Sequence, residues 1–276
     1  MHKDNFVELS VLMSIYIKEK PAYVRQCFDS LLNQTVKAKE WVVVEDGPLT
    51  EEMYSVLQEY ETKYPGLIQR VPLKENKGLG LALHEGVLHC TYPLIARMDT
   101  DDICMPNRFE RQLAEFEKDP DLDICGSNIQ EFEGSIDHVL SHRNVPLTNE
   151  EIIQYQKRRS AYNHMTVMFK KESVLRSGNY EHAPLMEDDM LWTRMILSGC
   201  KGMNIEEVLV NARTGIDMIM RRGGWAYFKK YKSSRKKVYN LGLASYWDYL
   251  FTILVQFFVA LMPKKLRLFV FTKLLR

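Results

Sequence analysis

The segment "IARMDTDDICMP" (95–106) sets Asp99, Asp101 and Asp102 within four positions, directly behind a short apolar run. Carboxylates this close repel unless each stays solvated or shares a cation. Oxygen ligands converging on one point suit Mg2+ or Mn2+, ions that keep coordination sites for water and phosphate oxygens. A lone Asp-x-Asp is more often a solvated acidic loop. Here Ile95, Ala96 and Met98 mark the preceding stretch as a buried strand, which fixes the acids, so the cluster reads as a metal–diphosphate site.

Three further features could take part. Glu45–Asp46 closes the apolar run "WVVVED" (41–46). "ENKGLGLAL" (75–83) places Lys77 and two glycines between a strand and a helix. It lacks the Lys-Ser/Thr of a P-loop, so it is either an ordinary strand–helix turn or a close-approach loop with Lys77 near phosphates. The triplet Glu187–Asp188–Asp189 opens a helix, where the macrodipole favours carboxylates. Asp188 is also placed to act as a general base if it faces the same crevice. His164 in "NHMTVMF" precedes a strand and, taken alone, reads as structural.

The elements that must position these residues alternate. "LSVLMSIY" (9–16), 41–46, "LIQRV" (67–71) and "PLIARM" (93–98) read as buried strands. Between them lie helical patterns over 21–34, opened by Pro21, a stretch after Thr50 as cap, and 78–89. This alternation predicts an α/β fold with a mostly parallel sheet flanked by helices, and ligands in such sheets bind outside the carboxyl ends of the strands. Further along, 122–132 and 165–171 read as strands, and 148–159 (capped by Thr148) and 187–199 as helices. No internal repeat or low-complexity linker interrupts residues 1–220, which read as one domain.

Composition narrows the class. The chain has 276 residues, 46% of them hydrophobic and 26% charged, ordinary for a globular protein with a full core. The five cysteines are widely spaced and form no Cys-x-x-Cys pair, which argues against a disulfide framework or zinc site and for a reducing compartment. The first ten residues hold no apolar signal-peptide core. The net charge of +1 hides an asymmetry: residues 221–276 carry thirteen Lys/Arg against the single Asp248, leaving −11 for residues 1–220. Within this tail "WAYFKKYKSSRKKVYNLG" (225–242) is aromatic and basic, and "YLFTILVQFFVALM" (249–262) is apolar. Fourteen helical residues rise about 21 Å, short of the roughly 30 Å hydrocarbon core. The pattern predicts an amphipathic segment in the plane of an anionic membrane surface, with a helix packed on the domain as the alternative.

The order of these pieces carries a resemblance. "VLMSIYIKE", "SLLNQT", "VVEDGPLTEE", "ENKGLGLALHEG", "ARMDTDD", "PNRFERQ", "NHMTVMFKK", "MEDDMLW" and "RTGIDMIMRRGG" follow one another as in the inverting nucleotide-sugar transferases of glycosyltransferase family 2. The chain resembles the bacterial exopolysaccharide and capsule branch, typified by the amylovoran-synthesis enzymes. The resemblance implies a GT-A fold over residues 1–220, with 221–276 a basic, hydrophobic, membrane-associating helical tail. It implies a nucleotide-sugar site containing Ser14, Tyr16, Glu45, Asp46, Lys77, Gly78, Arg97, Asp99, Thr100, Asp102 and His164. Asp101 becomes the direct ligand of Mn2+ or Mg2+, with Asp99 beside it. Asp188 becomes the catalytic base, with Glu187 before it, and Trp192 packs the base-bearing helix. Ile17 and His84 stand where the family often has Asn, and Leu83 where some relatives have Arg, leaving uridine- and thymidine-linked donors both open.

The implied partners are a nucleoside-diphosphate sugar, a polyprenyl-diphosphate-linked glycan acceptor and the anionic inner face of the plasma membrane; no nucleic acid is expected. Arg221 and Arg222 are alternative contacts for the acceptor diphosphate. Two other readings compete: a sugar nucleotidyltransferase, against which "IYIKEKPAY" is a poor triphosphate cradle, and a non-catalytic nucleotide-sugar-binding membrane scaffold.

Overall fold

The computed structural model describes residues 6–215 and 223–263. Its centre is a nine-stranded sheet. β1 (Phe6–Ile15), β2 (Lys37–Glu45), β3 (Ile68–Pro72) and β4 (Leu94–Arg97) lie parallel in the order β3-β2-β1-β4. They are joined through α1 (Pro21–Leu32), α2 (Glu51–Lys63) and α3 (Leu79–His89).

Period-two alternation explains the layers. Leu9, Val11, Met13 and Ile15 of β1 enter one apolar cluster with Val24, Phe28 and Leu31 of α1 and Met53, Val56 and Leu57 of α2. Leu12 points to the opposite cluster, with Val42 and Val44 of β2 and Ala82, Leu83 and Val87 of α3. The sheet is therefore covered on both faces, as the alternation predicts. Pro21 opens α1 where its missing N–H costs nothing. Thr50 caps α2 by accepting from the Met53 N–H at 3.2 Å.

The second half departs from the simple alternation. It contains β5 (Ile103–Cys104), α4 (Arg108–Lys118), β6 (Leu122–Phe132), β7 (Val139–Arg143), α5 (Asn149–Gln156), β8 (Met168–Lys170), α6 (Lys171–Arg176), α7 (Glu187–Leu197) and β9 (Lys201–Arg213). The sheet continues from β4 through β8, β6 and β9 to β5, with β7 beside β6. β8 is antiparallel to both β4 and β6, whereas β6 and β9 are parallel. The strand expected over 165–171 is thus three residues long, preceded by a 3-10 turn at His164–Thr166 and followed directly by α6. Thr148 caps α5 with a reciprocal capping box to Glu151.

The motif "PNRFERQ" opens α4, and its Arg108 is fully buried. Arg108 donates to the Arg97 carbonyl at 2.8 Å and the Val167 carbonyl at 3.3 Å, so it braces the end of β4 from below. The tail forms two helices, α8 (Trp225–Asn240) and α9 (Tyr246–Leu261), with α9 packed on α8 and α8 on α7. Arg221, Arg222, most of "RTGIDMIMRRGG" and the basic segment from residue 264 lie outside the described residues, as does the expected domain boundary near 220.

Candidate active site

Asp99, Asp101 and Asp102 follow β4 immediately, and one carboxylate oxygen from each lies within 4.8 Å of the others. Asp102 is 2% exposed; its Oδ1 accepts from the Arg213 N–H at 2.7 Å, while Oδ2 is buried without a partner among the described residues. Burial first, then the charges of Asp101 and Asp99, hold the Asp102 carboxyl far above the usual range. Burial and Asp99 likewise push Asp101 up to about 6. Converging carboxylates with an orphaned oxygen fit a hard divalent cation, which removes both the repulsion and the unmet acceptor. Asp99 and Asp101, with Asp102 behind them, are the residues that could hold it. Thr100 is buried between them.

Arg97 lies beneath this cluster. It is 1% exposed and pairs through Nη2 with Asp99 at 2.5 Å, while Nε and Nη1 have no partner among the described residues. Its charge also reaches Asp102, His164, Glu187 and Asp188. The acids that end β4 and those that begin α7 therefore both lie within electrostatic reach of one buried cation.

On the α7 side, Asp188 is raised by burial, opposed by the charges of Arg97 and Arg143 and by a 3.3 Å hydrogen bond from Ser160 Oγ. Glu187 is pushed up to about 7 by burial and then by Asp188; Asp99 adds to the effect. His164 Nε2 lies 2.9 Å from the Tyr180 hydroxyl. Burial, and secondarily Arg97, holds its imidazole well below the usual value, so it is neutral at pH 7. Trp192 is buried against Tyr162, His164, Phe169 and Tyr180, packing α7 into the core.

The remaining expected residues lie along the carboxyl ends of β1 and β2 and the loop before α3. Ser14 and the exposed Tyr16 mark the end of β1. Asp46 accepts from the backbone N–H groups of Lys77 at 2.6 Å and Gly78 at 3.1 Å, so its carboxylate shapes the 75–78 loop. Glu45 is buried in an ion pair with Arg70 at 2.5 Å, turned toward β3. Lys77 is exposed, and Gly78 takes φ +87°, which favours glycine. Gly80 has a different reason to be glycine. A Cβ there would lie inside contact distance of the Glu181 carbonyl and 3.1 Å from Glu187 Cβ. Gly80, in the first turn of α3, thus lets that helix approach the start of α7.

Several site residues gave no usable signal in the sequence. Glu19, just after β1, is pushed up to about 7 by burial and the charges of Asp101 and Asp99, so it adjoins the acid cluster. Arg213 at the end of β9 holds Asp102 through its backbone and donates Nε to the Asp101 carbonyl at 2.9 Å. Tyr180 and Ser160 touch His164 and Asp188 from loops. Glu19 closes "VLMSIYIKE" and Arg213 opens "RTGIDMIMRRGG", but neither motif assigns them a role, and all four reach the site across intervening chain.

Comparison with known proteins points to one family. The model for glycosyl transferase family 2 matches residues 10–182. The chain is 39% identical over 268 residues to the amylovoran biosynthesis glycosyltransferase AmsE of Erwinia amylovora, covering 96% of this chain and 98% of that one. It is 36% identical over 273 residues to the UDP-Gal:alpha-D-GlcNAc-diphosphoundecaprenol beta-1,3-galactosyltransferase of Escherichia coli, covering 99% and 98%. Among solved structures, the mannosyltransferase PcManGT of Pyrobaculum calidifontis, in complex with GDP-Man and Mn2+, superposes with a TM-score of 0.63 at 15% identity. That match covers 95% of this chain and 72% of PcManGT. S. aureus TarS superposes at 0.62 and 17% identity, covering 97% of this chain and 44% of TarS. These two likenesses establish the GT-A fold.

Proposed function

The chain belongs to glycosyltransferase family 2, and on that premise we propose that it is an inverting, metal-dependent hexosyltransferase. It moves a hexose from a nucleoside-diphosphate sugar, a uridine-linked one, to a polyprenyl-diphosphate-linked glycan in bacterial cell-surface polysaccharide synthesis. What supports this reading is that one buried cation serves both acid groups: Arg97 pairs with Asp99 and also acts on Glu187 and Asp188. The relative of Escherichia coli, by its name, uses a UDP-linked galactose and a diphosphoundecaprenol-linked acceptor.

Ser14, Tyr16 and the loop shaped by Asp46, Lys77 and Gly78 receive the nucleotide at the strand ends. Arg97 and neutral His164 lie beneath the diphosphate and donor sugar, where a fixed cation favours negative charge. When bound at Asp99 and Asp101, Mn2+ or Mg2+ supplies Lewis acidity at the diphosphate. Asp188 takes the proton of an acceptor hydroxyl as that oxygen bonds to the anomeric carbon. The bond to the nucleoside diphosphate breaks on the opposite face, and the leaving group departs with the electron pair. One displacement inverts the anomeric centre. Ser160 orients Asp188 for this step, and Glu187 sets the charge beside it.

Residues 1–220 form the catalytic domain in this reading, and 221–276 the membrane-associating tail of a cytoplasmic enzyme at the inner face of the plasma membrane. Trp247, Phe251, Leu254, Phe258 and Leu261 share one exposed face of α9. Lys229, Lys230, Lys232, Lys236 and Lys237 are exposed on α8 beside it. An exposed apolar face on α9 and exposed lysines on the helix it packs against suit an anionic lipid surface, each basic residue near it contributing about 1 kcal/mol. No helix among the described residues is long and apolar enough to cross a membrane.

The test is a panel of nucleotide sugars with the full chain, Mn2+ and a lipid-diphosphate-linked sugar acceptor. Nucleoside diphosphate is released with a UDP-hexose, the new linkage has inverted configuration by NMR, and Asp188→Asn or chelation abolishes turnover. Retention of configuration, or pyrophosphate formed from a nucleoside triphosphate and a sugar phosphate, overturns the reading.

A further inference from the structure

Next to the proposed base, α7 carries Asp189, whose buried carboxylate is held by polar partners. Arg235 of α8, 2% exposed, donates Nη1 to Asp189 Oδ2 at 2.9 Å and Nη2 to the Lys157 carbonyl at 2.5 Å. Gln156, at the end of α5, donates to Asp189 Oδ1 at 2.5 Å and accepts from the Ala161 N–H at 2.8 Å. Arg235 thus bridges the two segments that define Asp188: the first turn of α7, which carries it, and the 157–161 stretch, whose Ser160 hydrogen-bonds it. Two further contacts run the same way. Ser234 Oγ donates to the Pro184 carbonyl at 2.8 Å, just before α7, and Val238 packs with Ala183, Met186 and Met190.

A buried ion pair is a poor device for stability alone, because apolar residues of similar volume do as well or better. This one sits one residue from the proposed base and joins it to the helix pair that carries the exposed apolar stripe. We propose that Arg235 is a positioning residue for Asp188, acting through Asp189, so that the α8–α9 pair belongs to the catalytic apparatus as well as to the surface-facing one. The inference rests on Asp188 being the base.

Charge provides a signature that a simple staple lacks. Asp188 faces Arg97 from β4, Arg143 from β7, Ser160, Tyr180, Glu187 and Asp189. Asp189 faces Arg235 and Tyr231 from α8, Gln156 from α5 and Asp188. Removing the Arg235 cation makes the Asp188–Asp189 pair bind its proton more tightly. Removing the Asp189 carboxylate instead relieves Asp188 of a like charge. The two changes therefore move Asp188 in opposite directions.

The experiment compares Arg235→Met, Arg235→Lys and Asp189→Asn in the full-length protein. Turnover is read across pH, and the Asp188 carboxyl is titrated directly by 13C NMR. Expected for Arg235→Met are a kcat lower by about tenfold or more with the donor KM within about twofold, and an acid limb about one pH unit higher. Arg235→Lys recovers part of kcat, and Asp189→Asn moves the limb lower. An unmoved Asp188 titration in both Arg235→Met and Asp189→Asn overturns the inference, as does a kcat loss that tracks thermal stability alone. Should Arg235→Met not fold, the direction of the Asp189→Asn change decides. The NMR titration needs no turnover, so a wild-type chain inactive with every donor would sink the proposed function and leave this result readable.

Discussion

Replacing Glu187 by glutamine should stabilise the protein, increasingly as pH rises from about 5 to about 7 and fully above that. Glu187 opens α7, and its carboxyl is held at about 7 instead of the ordinary 4.5, by burial first and then by Asp188. A carboxyl raised on folding contributes no penalty while protonated in both states; the penalty grows as pH rises from the unfolded value through the folded one. A tenfold change in proton affinity is worth about 1.4 kcal/mol, so full ionisation at pH 8 costs about 3 kcal/mol, reduced to about 2–3 by partial solvent access. At pH 5 the cost is under about 1 kcal/mol. Glutamine keeps the shape and removes the charge. Urea unfolding of wild type and Glu187→Gln without divalent cations, at pH 5 and pH 8, should therefore show a gain of about 2 kcal/mol or more at pH 8 that mostly vanishes at pH 5. An equal gain at both values would assign the effect to packing. A loss at pH 8 would mean that the carboxylate is paired, and the electrostatic picture of the α7 terminus would be wrong.

Other outcomes follow from the same geometry. Gly80→Ala drives a Cβ against the Glu181 backbone and Glu187; it should cost about 1–3 kcal/mol in urea and lower kcat by displacing α7, with nucleotide affinity less affected. Arg108→Met leaves the carbonyls of Arg97 and Val167 without their shared donor, and should cost about 2–4 kcal/mol of stability by urea titration. Mn2+ at about a hundred times its Kd should raise wild-type stability by about 2.7 kcal/mol, seen as a higher Tm, and Asp101→Asn should abolish most of that rise.

The first half of the fold was legible because its two periods are clean. β1, β2 and β4 are apolar runs buried on both faces, and α1 and α2 show one apolar stripe each. Thr50 and Thr148 announce their helices by cap chemistry that needs no tertiary partner. The second half was harder for identifiable reasons. β5 is two residues long, and β7 is largely exposed. β9 carries Glu206 and Glu207 between the residues that pair with Ser127 and Asn128, where its register against β6 shifts. Its alternation is therefore broken in mid-strand. The aspartates and the α7 acids stood out by their spacing. Arg108 stands in a motif that assigns it no role, since its partners are backbone carbonyls that carry no sequence signature. Glu19, Tyr180, Arg213 and Arg235 acquire their roles only when remote elements meet.

The pairing of charges separates what is fixed from what must change. Among the described residues Asp99 has Arg97 and Asp189 has Arg235, each cation almost fully buried. Asp101, Asp102, Glu187 and Asp188 have no ion-pair partner there, and all four are raised above their usual values. Burying a carboxylate without a counter-charge is costly unless it is protonated or the counter-charge arrives from outside. In the proposed reading a divalent cation is the charge that arrives at Asp99 and Asp101, with Asp102 behind them. In the proposed mechanism the species that reaches Asp188 is a proton, and a raised affinity for it suits a base that takes one from a sugar hydroxyl. In the proposed reading Arg97 offsets part of the charge at the metal-holding acids and Arg235 fixes Asp189, while Asp101, Glu187 and Asp188 await the metal or the proton.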